Sequence, residues 1–347
     1  MRGERSEAWS RRKFLGSLAV GGAAAMLDLW PGQADAAKEP PPETTRLRIH
    51  KSDPACWAPM YVAEPLLRQE GFTDIQYVYA NGTEVARMCR EGALDLSAGF
   101  SVRFMYNLEQ QPHPLKIISG LHVGCYALVG SERVRSVRDL KGKTVWAGAL
   151  KNEGPHLFFT AIVAYVGLDP RTDVKHLWVN KDEAMRLFKE GKIDAFISFP
   201  PGPHELIAQG YGHLLVDTNI DKPWSQYFCC VVTAQSYFIK KNPIATKRAL
   251  RAILKAIDIV SRDPVLATKT LISMKVRPEA EYTSILRALK EIPYGRWREY
   301  NPEDTIRFYA LRMRETGMIE TPPQEFIEQH TDWRFLKELK KEFVMTW

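Results

Sequence analysis

Strands and helices alternate regularly along this chain, and this alternation constrains the fold more than any other feature of the sequence. Runs with apolar residues at every second position predict strands, and apolar residues at three- and four-residue spacing predict helices. The first set of predicted elements is a strand at 47–50, a helix at 59–71, a strand at 75–79, a helix at 84–91, a strand at 94–99, a helix at 102–110 and a strand at 116–119. This order predicts a doubly wound α/β domain.

The same rhythm restarts after residue 130. The second set is a short helix at 136–140 leading into the segment 141–146, a helix at 156–166, a strand at 174–179, a helix at 181–190, a strand at 193–198, a helix at 204–209 and strands at 214–217 and 228–233. From Asn242 onward only helices are predicted, at 243–261, 264–272, 278–290, 302–316, 322–329 and 331–343. The sequence therefore predicts two similar α/β halves followed by a helical tail.

The first 36 residues have the pattern of an export signal. Arg11 and Arg12 form a twin-arginine pair, a weakly apolar run covers 15–29, and Ala34-Asp35-Ala36 is typical of a cleavage site. The run is shorter than the roughly 20 residues that span a bilayer, which argues against a membrane anchor. We therefore expect a twin-arginine signal peptide at 1–36, a proline-rich spacer at 37–45 and a periplasmic mature protein.

Charge and motifs exclude several function classes. The net charge of +7 comes from 48 basic and 41 acidic residues, a mixed surface that does not indicate a nucleic-acid partner. Five cysteines are too few for a disulfide scaffold, although an oxidising compartment would permit a disulfide. The sequence contains no G-x-S-x-G, Walker A, H-E-x-x-H or C-x-x-C motif. We therefore predict no catalytic residue, no metal site and no cofactor.

Several short segments occur in a fixed order along the chain. They are APMYVA at 58–63, EGALDL at 91–96, SVRDLKGKTV at 136–145, AMRLFKEGKIDA at 184–195 and the pair Asn242-Pro243. With these segments, residues 46–275 resemble the periplasmic substrate-binding proteins of ABC importers. More narrowly, the chain is similar to the nitrate, sulfonate and taurine group, which includes binders of thiamine-pyrimidine precursors.

This resemblance implies a type II binding-protein fold, in which two α/β lobes are joined by two crossover segments around a ligand cleft. Lobe one would comprise 46–127 and 235–347, and lobe two would comprise 130–230, with crossovers near 126–132 and 229–235. The implied protein is not an enzyme. It is a monomer that closes on a small solute and delivers it to an ABC permease and its ATPase.

Candidate ligand-binding residues follow from the rule that α/β sheets bind ligands beyond the carboxyl ends of their strands. They are Ser52, Trp57, Gly82, Thr83, Phe100, Ser101, His122, Gly154, His156 and Phe199. Helix N-termini with hydroxyl donors suit a sulfonate or carboxylate, three aromatic rings suit an apolar body, and Arg103 and Lys151 are candidate cations. We therefore expect a small anionic or zwitterionic solute.

Other interpretations of these residues remain open. Trp57 and Phe199 also suit a lobe core, Thr83 and Ser101 suit helix N-caps, and Gly154 suits a simple turn. Many relatives carry an aromatic-acid-proline sequence where this chain has Phe199-Pro200-Pro201, which argues against a cationic ligand.

Two other functions also remain open. The first is an accessory protein that presents a ligand to a membrane sensor, a role that the sequence does not separate from import. The chain is also similar in fold to the yeast thiamine-pyrimidine synthase, whose cysteine cluster is longer than Cys229-Cys230. We interpret this cysteine pair as buried and structural.

Overall fold

The computed structural model describes residues 39–80, 84–200 and 202–345. Residues 41–340 form one compact unit, and residues 1–40 with 341–347 form a second. Within the second unit the structure describes only residues 39–40 and the end of the last helix, 341–345. The expected signal peptide at 1–36 lies outside the described residues.

The first part of the chain follows the predicted order of strands and helices. Its strands are β1 (Arg46–Lys51), β2 (Asp74–Tyr79), β3 (Leu96–Phe100) and β4 (Leu115–Val123). Its helices are α1 (Ala58–Val62), α2 (Glu64–Gln69), α3 (Glu84–Arg90) and α4 (Ser101–Gln110). The predicted helix at 59–71 is interrupted, and a 3-10 turn at Ala55–Trp57 precedes it.

The second part of the chain repeats the alternation. Its strands are β5 (Ala127–Gly130), β6 (Thr144–Trp146), β7 (Lys175–His176), β8 (Ala195–Ser198) and β9 (His213–Asp217). Its helices are α5 (Gly154–Tyr165), α6 (Lys181–Lys189) and α7 (Gly202–Ala208). Strand β5 was not predicted, because its four residues are all buried and show no apolar–polar alternation.

The last part begins with strand β10 (Phe228–Gln235) and is otherwise helical. Its helices are α8 (Ser236–Lys241), α9 (Pro243–Arg262), α10 (Pro264–Ser273), α11 (Tyr282–Glu291), α12 (Pro302–Glu315), α13 (Pro323–His330) and α14 (Arg334–Met345). Among the residues that the structure describes, no helix is both long and apolar enough to span a membrane.

The ten strands form two sheets of five. The first has the order β2-β1-β3-β10-β4, and the second has the order β7-β6-β8-β5-β9. Strand β1 is parallel to β2 and β3, whereas β10 is antiparallel to β3 and β4. The mixed α/β class with two doubly wound units is thus confirmed.

The chain passes from the first sheet to the second within 124–126 and returns within 218–227. The segment 229–235, expected to cross between lobes, lies within β10 and pairs with both β3 and β4. Its apolar, β-branched residues are buried throughout, as suits a central strand.

The helical tail is fixed to the first part of the chain by a buried ion pair. Helix α9 packs against α1 and α2. Nη1 of Arg251 donates to Oε2 of Glu70 at 2.8 Å, and Nη1 of Arg248 donates to the Glu70 carbonyl oxygen at 3.0 Å. The three side chains are almost fully buried, so this contact fixes the position of α9 beside the first sheet.

Candidate functional site

A cavity of about 460 Å³ lies at the carboxyl ends of β1, β2 and β3. These strands are adjacent in the first sheet, and parallel strands place their carboxyl ends at one edge. Lining residues that follow or end the strands are Ser52, Trp57, Tyr79, Ala80 and Phe100. The cavity therefore lies where strand order alone predicts a ligand site.

Local hydrogen bonds fix the base of this cavity. The two ring nitrogens of His50 lie 2.8 Å from Ser97 Oγ and 2.9 Å from the carbonyl oxygen of Ala80. The Tyr61 hydroxyl bonds to both the backbone N–H and the carbonyl of Ser52, at 2.9 and 2.6 Å. These bonds hold the Ser52 backbone in place where the residue lines the cavity.

The indole of Trp57 forms one wall of the cavity. Its ring packs edge-on against His50, with the centroids 5.3 Å apart. The side chain is 4% exposed, yet its Nε1–H has no hydrogen-bond partner among the described residues. A buried donor without a partner costs roughly 1–3 kcal/mol, so a ligand acceptor here would recover that cost.

Helix α4 presents a polar face to the cavity. Arg103, Tyr106, Asn107 and Gln110 all line it, at positions i, i+3, i+4 and i+7 of one helix. This spacing was visible in the sequence and could have identified Tyr106, Asn107 and Gln110, which the strand-end rule missed. The helix follows β3 directly, so its first turn adjoins Phe100 at the strand end.

The charge of the cavity at neutral pH comes from Arg103. In the part of the chain that the structure describes, Arg103 makes no ion pair, and no Asp or Glu lines the cavity. Burial lowers the pKa of His50, and burial together with nearby His330 and Arg90 lowers the pKa of His113 to about 4. Both rings are therefore neutral at pH 7, and Arg103 carries the positive charge among the described lining residues.

A hydrogen-bond chain connects the cavity to helix α5. The Asn152 side-chain amide donates to the Tyr106 hydroxyl at 2.7 Å. Asn152 has φ of 66°, and its backbone N–H donates to Nδ1 of His156 at 3.1 Å. His156 is 5% exposed, and burial, then His176 and Lys151, lower its pKa to about 4. His156 therefore acts as a neutral acceptor that orients Asn152 toward Tyr106.

Four aromatic rings form a cluster that begins with Phe100 in the cavity wall and continues through Tyr126, Phe158 and Phe199. Their centroids are 4.7 Å apart for Tyr126 with Phe158, 5.6 Å for Phe100 with Tyr126, and 6.1 Å for Phe100 with Phe199. Gly154 lies against this cluster, because a Cβ there would be 2.9 Å from the Tyr126 hydroxyl and 3.1 Å from Phe100 Cδ2. Gly154 thus permits close packing, which the interpretation as a simple turn did not anticipate.

The structure separates the predicted site residues into several groups. Ser52, Trp57 and Phe100 line the cavity, and Ser101 is fully buried beside it with Oγ unpartnered among the described residues. Phe199, Gly154 and His156 do not line the cavity, so of the three predicted aromatic residues only Trp57 and Phe100 belong to its wall. Gly82 and Thr83 lie outside the described residues.

His122 belongs to a different cluster, formed by buried cysteines. Cys56, Cys125, Cys229 and Cys230 are at most 5% exposed, and His122 on β4 is fully buried. The coordinating atoms of Cys56, His122 and Cys230 all lie within 4.8 Å of one another. All five cysteines of the chain are free thiols, so the expected buried pair is part of a larger group.

The thiols of this cysteine–histidine cluster interact directly. Hydrogen bonds from Cys125 and Cys230 hold the pKa of Cys56 well below its usual value. Burial opposes protonation of His122, but the neighbouring Cys56 thiol raises the pKa of the ring. Sequence spacing gave no sign of the cluster, since its members come from β4, β10 and two loops.

The NMT1-like family model matches residues 41–271, well over half of the chain. The chain belongs to the NMT1-like family. No curated protein sequence matches it.

Solved structures resemble this NMT1-like protein over most of its length. The putative sulfonate-binding protein SsuA of an ABC transporter from Methylobacillus flagellatus KT is 19% identical, with a TM-score of 0.66, and the match covers 86% of this chain and 94% of that one. The nitrate-binding protein NrtA from Synechocystis PCC 6803 is 13% identical, with a TM-score of 0.65 and coverage of 87% and 90%. The alkanesulfonate-binding protein SsuA from Xanthomonas axonopodis pv. citri, bound to MOPS, is 18% identical, with a TM-score of 0.59 and coverage of 80% and 96%.

These matches confirm the resemblance drawn from the sequence, at the level of family and fold. The NMT1-like protein has the fold of periplasmic binding proteins, and the structural relatives described above are solute-binding proteins.

Proposed function

We propose that this NMT1-like protein is the solute-binding component of an ABC importer and that it captures a small organic anion. The observation that carries this proposal is the cavity at the ends of β1, β2 and β3, where Arg103 faces a lining without carboxylates. A guanidinium without a competing acid favours a carboxylate or sulfonate, which can accept two parallel N–H bonds from it. The named binders of sulfonate and nitrate among the structural relatives also support an anion.

The rest of the lining supports an organic body on that anion. Trp57, Phe100 and Phe104 supply aromatic surface, and Asn107 and Gln110 supply amides. The cavity volume of about 460 Å³ falls within the usual range for small-molecule sites, roughly 300–1,000 Å³. We infer that an alkyl or aryl sulfonate or carboxylate suits the cavity better than a bare inorganic anion does, because much of the wall is apolar.

Hinge closure is the second part of the proposal. The proposed lobes are 46–126 with 228–347, and 127–227. These bounds differ from those expected from the sequence because β5 belongs to the second sheet and β10, which begins at Phe228, belongs to the first. The Asn152–Tyr106 hydrogen bond and the contact of Phe199 with Phe100 join these two parts next to the cavity. Such contacts would form when the lobes close on the solute and break when they open.

The proposed partners follow from this role. They are an ABC permease with its ATPase, to which a monomeric closed form would deliver its solute in the periplasm. The twin-arginine pattern at 1–36 would direct export of the folded chain.

A thermal-shift screen tests the solute class. The set should contain alkyl and aryl sulfonates, aromatic carboxylates, nitrate and neutral pyrimidines. A solute at one hundred times its Kd stabilises the protein by about 2.7 kcal/mol, which corresponds to an increase in Tm of roughly 5 °C. We expect the sulfonates or carboxylates to give this increase.

The variant Arg103→Gln should abolish the increase, while Arg68→Gln should retain it, because Arg68 lies on α2 in a largely exposed ion pair with Glu64. An equal increase for Arg103→Gln and the unchanged protein would refute the role of Arg103. A screen in which no solute raises Tm would refute solute capture and favour the sensor or enzyme alternatives.

Small-angle scattering tests closure separately. Saturation with a solute found in the screen should reduce the radius of gyration, since the cleft between the lobes would close. An unchanged radius of gyration at saturation would refute the hinge mechanism but would leave solute binding intact.

A further inference from the structure

The cysteine–histidine cluster lies apart from the proposed anion cavity. None of Cys56, His122, Cys125 or Cys230 lines that cavity. The cluster brings together three distant segments. They are the turn after β1, the end of β4 together with Cys125, and the start of β10. Two of these segments adjoin the places where the chain passes between its two sheets.

Strand pairing positions two members of the cluster. Cys230 on β10 lies opposite His122 on β4 in the antiparallel ladder. Residues opposite each other in such a pair project to the same face, with their Cβ atoms roughly 5 Å apart. The register of this pairing shifts on both sides of Cys230, so the backbone is locally irregular where the cysteines occur.

The other two members approach from loops. Cys56 lies in the 3-10 turn just before Trp57, and its carbonyl accepts a hydrogen bond from the Tyr294 hydroxyl at 2.9 Å. Cys125 has φ of 142°, a conformation that a residue with a side chain rarely adopts. Its thiol interacts with those of Cys56 and Cys229. The fold therefore maintains an unfavourable backbone conformation at Cys125, and this conformation places the Cys125 thiol in the cluster.

The donor atoms are suited to a metal ion. The coordinating atoms of Cys56, His122 and Cys230 lie within 4.8 Å of one another, and ligands of a tetrahedral zinc ion lie roughly 3.3–3.8 Å apart at bond lengths of about 2.0–2.3 Å. Nε2 of His122 has no hydrogen-bond partner of acceptable geometry in the described part of the chain, although the ring is fully buried. Buried polar atoms without partners are unusual, and metal coordination would satisfy this one.

We propose that Cys56, His122 and Cys230 form a structural zinc site. Thiolate and imidazole are ligands that suit Zn²⁺. Because all three residues are buried, the ion stabilises the fold rather than reacting with solutes. The zinc ion connects two parts of the fold. One is the turn that positions Trp57, and the other is the pair of segments in which the chain passes between the sheets.

Metal analysis of the purified full-length chain, expressed with added zinc, tests the proposal. We expect about one zinc ion per chain by mass spectrometry of the metal content. The variants Cys56→Ser, Cys230→Ser and His122→Gln should each lose most of it. Cys89→Ser is the matched control, because Cys89 is equally buried on α3 but lies outside the cluster, and it should retain the zinc.

A second measurement does not depend on whether the variants fold. Replacing zinc by Co²⁺ in the unchanged protein should produce the visible spectrum of tetrahedral cobalt and a thiolate-to-cobalt charge-transfer band. Absence of bound metal, or equal metal content in Cys89→Ser and the cluster variants, would overturn the proposal. A count of fewer than five free thiols in the denatured, metal-free protein would also overturn it, since the cysteines would then form a disulfide. Copper or iron held by the same residues would overturn the assignment to zinc.

Discussion

Protonation of His156 should destabilise the protein in weak acid. The ring is 5% exposed and packs against His176 and Trp178, with centroids 4.9 and 5.1 Å away. Its Nδ1 accepts the N–H of Asn152, so a proton on Nδ1 would remove this hydrogen bond and bury a charge. Burial is the main reason why the pKa of His156 falls from 6.5 to about 4, and His176 and Lys151 lower it further.

The size of the effect follows from the two pKa values. An unfolded chain binds a proton at His156 near pH 6.5, whereas the folded protein binds it only near pH 4. The unfolded state therefore holds more protons between these values, and the stability is full above pH 6.5 and falls as the pH decreases toward 4. Between pH 7 and pH 5 the free energy of unfolding should decrease by about 2 kcal/mol through this residue.

Urea unfolding at pH 7 and pH 5 measures this decrease. The variant His156→Gln keeps an acceptor for the Asn152 N–H but does not titrate. Between pH 7 and pH 5 its free energy of unfolding should therefore decrease by about 2 kcal/mol less than that of the unchanged protein. The control His213→Gln removes a partly exposed imidazole from the edge strand β9 and should lose as much stability as the unchanged protein. Equal losses for His156→Gln and the unchanged protein would refute the assignment of a buried neutral ring.

Three further predictions concern ligand binding and packing. Trp57→Ala should weaken solute binding at least about tenfold, or roughly 1.4 kcal/mol, and an unchanged Kd in calorimetry would show that the indole belongs only to the core. Gly154→Val should lower the free energy of unfolding by about 1–3 kcal/mol because its Cβ would lie 2.9 Å from the Tyr126 hydroxyl, and unchanged urea unfolding would contradict this close packing. Asp258→Ala should lower the free energy of unfolding by about 3 kcal/mol, because its buried carboxylate accepts two hydrogen bonds from Arg298. A decrease below about 1 kcal/mol would show that this ion pair does not stabilise the helical tail.

The order of strands and helices was predictable from the sequence because it depends on local periodicity. The predicted strand at 75–79 occurs at Asp74–Tyr79, and the predicted helix at 181–190 occurs at Lys181–Lys189. Each such segment contains its own pattern of apolar residues, which depends only on whether one or both faces are buried. Strand β5 shows the limit, because a fully buried four-residue strand has no alternation to detect.

The candidate site was predictable only in part. The strand-end rule found Ser52, Trp57 and Phe100, which line the cavity, because the ends of parallel strands meet at one edge. The same rule suggested His156, which lies on α5, and Phe199, which follows β8, and neither side chain lines the cavity. A rule about strand ends does not indicate how closely two sheets and their helices pack.

The sequence by itself determined the order of the elements, the family and the loops in which a ligand site could form. Only the tertiary structure decided that the polar face of α4 lines the cavity and that His156 orients Asn152. It alone placed the distant residues Cys56, His122 and Cys230 within 4.8 Å of one another. The physical reason is that a local pattern specifies which face of a segment is buried, whereas contacts between distant segments depend on strand register and packing across the whole fold.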